Sequence, residues 1–228
     1  MTDKKVPNGD RNAPGYSWIV PFWSWVFLIL QHISIVEILR TVVPKLRVTS
    51  AFIEGYVTLN TLAAFTALAV AAHRLDVAVS WLLVVAVVYG SFRIFEITVF
   101  QANVLMFHQY RAKVAGESYT LRGFRRTVIL LVHNYFEIVC WFGVVNVFLY
   151  RDSQITSLGT DPSFFSVFRE SMLMMFTFTP ETYQPARDPA IMAFSIQAVV
   201  GLFMSVIVLA RFLALLPPPK SADEHEQE

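Results

Sequence analysis

The sequence predicts an all-α integral membrane protein: four transmembrane helices, a short re-entrant helix, and an N-terminal helix lying in the membrane interface. Three observations carry this. The 228 residues are 55% hydrophobic and only 15% charged, with a mean hydropathy of +0.52. A soluble domain is about a quarter charged. Four apolar runs are long enough for the ~30 Å hydrocarbon core of a bilayer. Between the third and fourth runs lie about 39 residues whose own apolar stretch is too short to cross, followed by the polar segment TFTPETYQP.

The balance of charges excludes other classes. A net charge of +1 gives no footing for nucleic acid. The single cysteine, Cys140, permits neither an intrachain disulfide nor a cysteine zinc site. No H-E-x-x-H, G-x-S-x-G or phosphate-loop pattern occurs, so no enzyme chemistry is expected.

In chain order, residues 1–16 read as a polar, unstructured tail. Residues 18–30 are apolar and follow Lys4, Lys5 and Arg11, as in a signal peptide, but no small-residue cleavage site follows and the segment reads as retained. Residues 18–39 crowd Trp18, Trp23 and Trp25 at one end and place Gln31, His32 and Glu37 at the other. Tryptophan favours the membrane–water interface, so the reading is an interfacial helix, with a fifth span as the alternative. Pro21 falls in its first turn, where proline is tolerated.

Residues 51–73 form the first span, and the short link from Arg74 to Asp76 forces an antiparallel return. The second run, 77–107, has about 31 residues and a length of ~46 Å, so it tilts or projects past the membrane. A basic linker covers 108–126. The third span is 127–150, and the fourth, 190–216, stops at Pro217–Pro219 because proline cannot continue a helix. An acidic tail closes the chain. Between the last two spans, Asp161 is a good N-cap and Pro162 suits the first helical position. A helix from Ser163 to Phe176 would be ~21 Å long, enough to go halfway through a bilayer.

Arg40, Lys45 and Arg47 precede the first span, and Arg111, Lys113, Arg122, Arg125 and Arg126 separate the second from the third. The positive-inside rule therefore puts both termini and the 108–126 linker in the cytoplasm of a multi-pass cell-membrane protein. The expected organisation is a cytoplasmic tail and interfacial helix (1–50), a transmembrane hairpin (51–107), the linker (108–126), a pore module (127–216) and a cytoplasmic tail (217–228).

The segments NYFEIVCWFGVVNVFLY, FFSVFRESMLMMF and FSIQAVVGLFMSVIVLARFLALLP, the last with Gly201 in mid-helix, occur in a telling order. Residues 122–216 resemble the pore module of the two-span potassium channel superfamily: outer helix, re-entrant pore helix, filter, inner helix. The resemblance implies an ion channel assembled from copies of the chain, four by the family's habit, with five left open because the filter is not the family's. The N-terminal hairpin lacks an arginine at every third position, so it does not resemble the family's voltage sensor. The filter departs from the family's T-x-T-T-V-G-Y-G-D pattern. Thr177 and Thr179 keep the T-x-T step, but PETYQP replaces the glycines. A ladder of inward carbonyls needs residues tolerant of positive φ, and Pro180 and Pro185 cannot adopt it. Potassium selectivity therefore does not carry over.

In place of that ladder stands Glu181. Repeated around a symmetry axis it becomes a carboxylate ring, a known route to cation selectivity. Such a ring repels itself unless a cation neutralises it, and calcium suits oxygen ligands in flexible number. Glu181 is thus the expected filter residue and only metal ligand, with Thr177, Thr179, Pro180 and Tyr183 around it. No resident cofactor is implied beyond the permeant cation. The partners expected are membrane lipid and further copies of the chain. Solvated loop charge for Glu181, and packing for Tyr183, are the plainer alternatives.

Gly201, Phe203 and Ile207 form the expected hinge and hydrophobic gate, or equally an ordinary packing surface, with Met204 and Leu215 nearby. Arg93 and Glu96, and His133 and Glu137, have helical spacings that let each pair meet. Ionisable groups inside a membrane point to function. An interhelical polar cluster is the alternative reading. The functional expectation is a weakly selective or calcium-permeable cation channel. The rivals are a non-conducting scaffold or regulatory subunit, and a proton- or metal-coupled transporter, for which internal repeats are lacking.

Overall fold

The computed structural model describes residues 18–31, 49–73, 80–116, 124–158 and 162–213. The tails, Arg40, Lys45, Arg47, the Arg74–Asp76 link, Arg122, Asp161, Leu215 and Pro217–Pro219 lie outside the described residues, and so does 32–39 of the interfacial segment. The chain divides into two compact units, Met1–Thr49 with Phe92–Leu121, and Ser50–Ser91 with Arg122–Glu228.

In the first unit, α1 (Ile19–Gln31) is a 13-residue helix with Phe27 packed against Phe107. The second half of α3 (Ser80–Met106) ends there and is followed by α4 (His108–Val114). The sequence reading treated 108–126 as linker throughout. Its first part folds because Arg111 reaches back to Asn103 and the Arg111 N–H bonds the Phe107 carbonyl at 2.9 Å.

The second unit contains α2 (Ser50–Ala72), the first half of α3, α5 (Phe124–Arg151), β1 (Ile155–Ser157), α6 (Phe164–Met175), β2 (Tyr183–Pro185) and α7 (Asp188–Leu213). Four helices, α2, α3, α5 and α7, are long and apolar enough to cross a membrane. This is a mostly helical chain consistent with a multi-pass membrane protein. α2 and α5 run parallel. Arg126 near the start of α5 pairs with Glu54 near the start of α2, and Arg151 at its end donates to the Ala71 and His73 carbonyls at 2.7 and 2.9 Å. A cation on the last carbonyls of a helix is where the helix dipole favours it. α5 is the hub of the unit, with Leu131, Ile138, Val139, Val144 and Val147 all buried. Gly90 of α3 leaves room for the Trp141 ring, which a Cβ there would meet at 2.5 Å.

The short two-stranded ribbon was not foreseen. β1 and β2 pair antiparallel, with Ile155 opposite Pro185 and Ser157 opposite Tyr183. Leu158 N–H to Thr182 O (2.9 Å) and Ala186 N–H to Gln154 O (2.8 Å) extend it at both ends. The ribbon ties together the two strands of chain that enter and leave α6.

Candidate functional site

The start of α6 differs from expectation. Ser163, not Asp161, is the N-cap, and Pro162 precedes the helix. Ser163 Oγ accepts the Ser166 N–H at 3.2 Å, and Ser166 Oγ accepts the Ser163 N–H at 2.9 Å. This reciprocal box satisfies two orphan donors at once, which a lone aspartate cap does not. The helix ends in a Schellman motif: Thr177 N–H to Met174 O at 3.0 Å and Phe178 N–H to Leu173 O at 2.9 Å. Thr177 is therefore left-handed, with φ +62°. Proline bars positive φ at Pro180 and Pro185, but not at Thr177. A threonine adopts it here, at a cost of about 1–2 kcal/mol, because the closing hydrogen bonds require it. The end of α5 repeats the device with Ser153 at φ +56°.

α6 runs back alongside α5. Phe168 stacks on Phe136, and the Phe176 ring lies 5.8 Å from Tyr135, near the middle of α5. The chain then climbs again until Tyr183 lies 6.4 Å from Tyr150, at the end of α5. Tyr135 and Tyr150 are separated by about 22 Å of helix, so the excursion covers roughly half the length of a span.

Glu170 fixes the returning segment. Its fully buried carboxylate accepts the backbone N–H of Glu181 at 2.8 Å and of Thr182 at 3.2 Å. Its other oxygen accepts Arg169 Nη2 at 2.7 Å. The same guanidinium nitrogen lies 3.2 Å from Thr182 Oγ1 and 3.3 Å from Glu181 Oε2. Burial pushes the Glu170 carboxyl up. Hydrogen bonds from Arg169, from the Thr182 amide and hydroxyl, and from the Glu181 amide outweigh it and hold the group below its ordinary value of 4.5.

The expected site residues fall into three places. Glu181 (side chain 69% exposed), Thr177 and Thr179 are on the surface of the excursion, Pro180 is half-buried, and Tyr183 is buried in the ribbon. Gly201 and Ile207 lie on the buried stripe of α7 with Met204, and Phe203 is half-buried beside them. A Cβ at Gly201 would stand 2.1 Å from the Met175 carbonyl oxygen. Of the ionisable groups in the long helices, Arg93 and Glu96 form a buried ion pair. His133 Nδ1 lies 2.9 Å from the Ile129 carbonyl of its own helix. Glu137 is fully buried and accepts Trp141 Nε1–H at 3.3 Å.

Sequence reasoning missed a polar lock where α5, α6 and α7 meet. Asn146 Nδ2 donates to Ser171 Oγ and to Gln197 Oε1, both at 3.2 Å, and Gln197 Nε2 donates to the Ser171 carbonyl at 2.9 Å. All three residues are buried. The signal was present in Asn146 and Gln197, amides within membrane-length helices whose neighbours in sequence are apolar.

Among the described residues no three His, Cys, Asp or Glu side chains are grouped to hold a metal. In comparison with known proteins, no family model, no curated protein and no solved structure matches this chain.

Proposed function

We propose that the chain is the subunit of an oligomeric cation channel, weakly selective or calcium-permeable, in which the loop from Thr177 to Thr182 lines the narrow part of the pore. The observation that carries the reading is the depth of this loop. Phe176 to Thr179 are exposed on the single chain at the level of mid-α5. At that depth a membrane offers backbone groups no partner, and irregular chain is tolerated only against protein or a water-filled cavity. A ring of copies around a wet axis supplies both. The order of a long helix, a short helix, a return loop and a long helix supports a likeness to the two-span potassium-channel pore module in architecture, with four copies favoured and five open. It does not extend to the filter.

Glu181 is the residue on this loop that presents a carboxylate to the cavity, held by its own amide on Glu170. Any constriction lower down comes from the exposed side of α7, at Val199, Leu202 and Val206, rather than from buried Ile207. Both termini are assigned to the cytoplasm of a cell-membrane protein from the arginine and lysine distribution. The test is reversal potentials of the reconstituted protein in planar bilayers, under a potassium chloride gradient and then with calcium chloride on one side, for wild type and Glu181→Gln. Cation-selective current whose selectivity falls in the variant supports the assignment. Selectivity indifferent to the variant removes Glu181 from the filter. An electrically silent protein favours the scaffold reading.

A further inference from the structure

We infer that Arg169 sets the ionic selectivity of this loop: its guanidinium masks the Glu181 carboxylate and keeps the ring a low-field site that does not prefer divalent ions. The inference rests on the channel reading above and names the residue that decides between its two forms.

The argument is a count of charges and of who shares them. Between Arg169 and Pro185 each subunit carries two carboxylates, Glu170 and Glu181, and one guanidinium. Glu170 is fully buried and faces away from solvent, and it takes the shorter contact to Arg169, 2.7 Å, together with two backbone amides. It is thereby satisfied and takes no part in ion binding. The Arg169 side chain is 54% exposed, and the nitrogen that serves Glu170 lies 3.3 Å from Glu181 Oε2. Thr182 Oγ1, at 3.2 Å, holds the fork in that position. The charge left for a permeant ion is therefore one carboxylate per subunit with a cation already beside it.

The size of the effect follows from Coulomb scaling. Removing an exposed partner of this kind changes an equilibrium constant by up to about fivefold. If a monovalent ion on the ring gains that factor, a divalent ion gains its square, because the energy scales with charge. Loss of the guanidinium thus raises the calcium-to-potassium preference by up to about fivefold.

Two readouts test this. Terbium luminescence, sensitised by the protein's tyrosine and tryptophan, titrates trivalent-ion binding to the purified full chain in detergent, with calcium as competitor. Bi-ionic reversal potentials in bilayers report permeability. The variants are Arg169→Gln, Arg169→Lys and the double variant Arg169→Gln/Glu181→Gln. Arg169→Gln should tighten calcium competition and shift reversal towards calcium. Arg169→Lys should match wild type, since it keeps the charge and, with Glu170 still paired, the fold. The double variant should lose the gain. Calcium competition unchanged in Arg169→Gln, or a gain that survives in the double variant, overturns the inference. If Arg169→Gln does not fold, Thr182→Val, which removes the hydroxyl that holds the guanidinium at 3.2 Å while Glu170 stays paired, should tighten calcium competition in the same direction, and an unchanged competition overturns the inference. Tightened binding without current in any protein upholds the masking and refutes the channel.

Discussion

Gly201→Ala probes the contact on which the whole site rests. The added Cβ would stand 2.1 Å from the Met175 carbonyl oxygen, 2.5 Å from its Cα and 2.7 Å from its carbonyl carbon. That is about 1.3 Å short of ordinary contact, and every obstacle is backbone, so no rotamer change relieves it. α7 must move off α6. One turn earlier on the same face, Gln197 Nε2 donates to the Ser171 carbonyl at 2.9 Å. A displacement of that size takes the bond beyond hydrogen-bonding range and leaves buried polar groups unpaired, at about 1–3 kcal/mol. Overpacking adds about 1–3 kcal/mol, and the better helix propensity of alanine returns about 1 kcal/mol. The expected net loss is about 1–5 kcal/mol. The assay is thermal unfolding in detergent, where each kcal/mol is worth roughly 2–4 °C for a chain of this size. Gly55→Ala is the internal control: nothing lies within 4 Å of its Cβ, so it should melt at or slightly above wild type. Gly143→Ala clashes with the end of the Leu68 side chain, at 2.9 Å, and touches Ser171 Oγ at an ordinary 3.4 Å, so its loss should be recovered by trimming Leu68. If Gly201→Ala melts with Gly55→Ala, the close approach of α6 and α7 is wrong.

Three further outcomes are expected. Gln197→Leu, which takes the side-chain donor from the Ser171 carbonyl and leaves Asn146 Nδ2 with Ser171 Oγ alone, should cost about 1–3 kcal/mol in the same melt, and a neutral result would remove the polar lock. The Glu170 carboxyl is held below its ordinary value of 4.5, so the stability it contributes is present above that pH and is lost as pH falls through the depressed native value. The amide NMR shifts of Glu181 and Thr182 should therefore move together only below about pH 4.5, and not at all in Glu170→Gln. Thr177→Gly relieves a left-handed β-branched residue and should raise stability by up to about 1 kcal/mol, after the extra unfolded-chain entropy of glycine is set against the strain, whereas Thr177→Val should not.

The four long helices were legible because hydropathy is a sum over neighbouring residues, and 18 or more apolar residues in a row decide a span whatever else the chain does. The same local reasoning found the short helix between α5 and α7. It misplaced the helix start by preferring Asp161 over Ser163, since two caps within two residues compete and only the Ser166 hydroxyl, folded back on the Ser163 amide, decides between them. It tied positive φ to glycine, but the Schellman geometry at Thr177 and Ser153 is imposed by where the following chain must go, towards Glu170 and into the ribbon.

What the sequence alone determined is therefore that four helices are long and apolar enough to cross a membrane and that the helix between α5 and α7 is too short to do so. What only the tertiary structure decided is which polar groups serve the site. Glu170 meets an amide 11 residues on, Asn146 meets Ser171 and Gln197 at 25 and 51 residues, and Arg169 reaches Glu181 across the return loop. A buried polar side chain takes whichever partner the fold brings within about 3 Å, and no local pattern of residues encodes that distance.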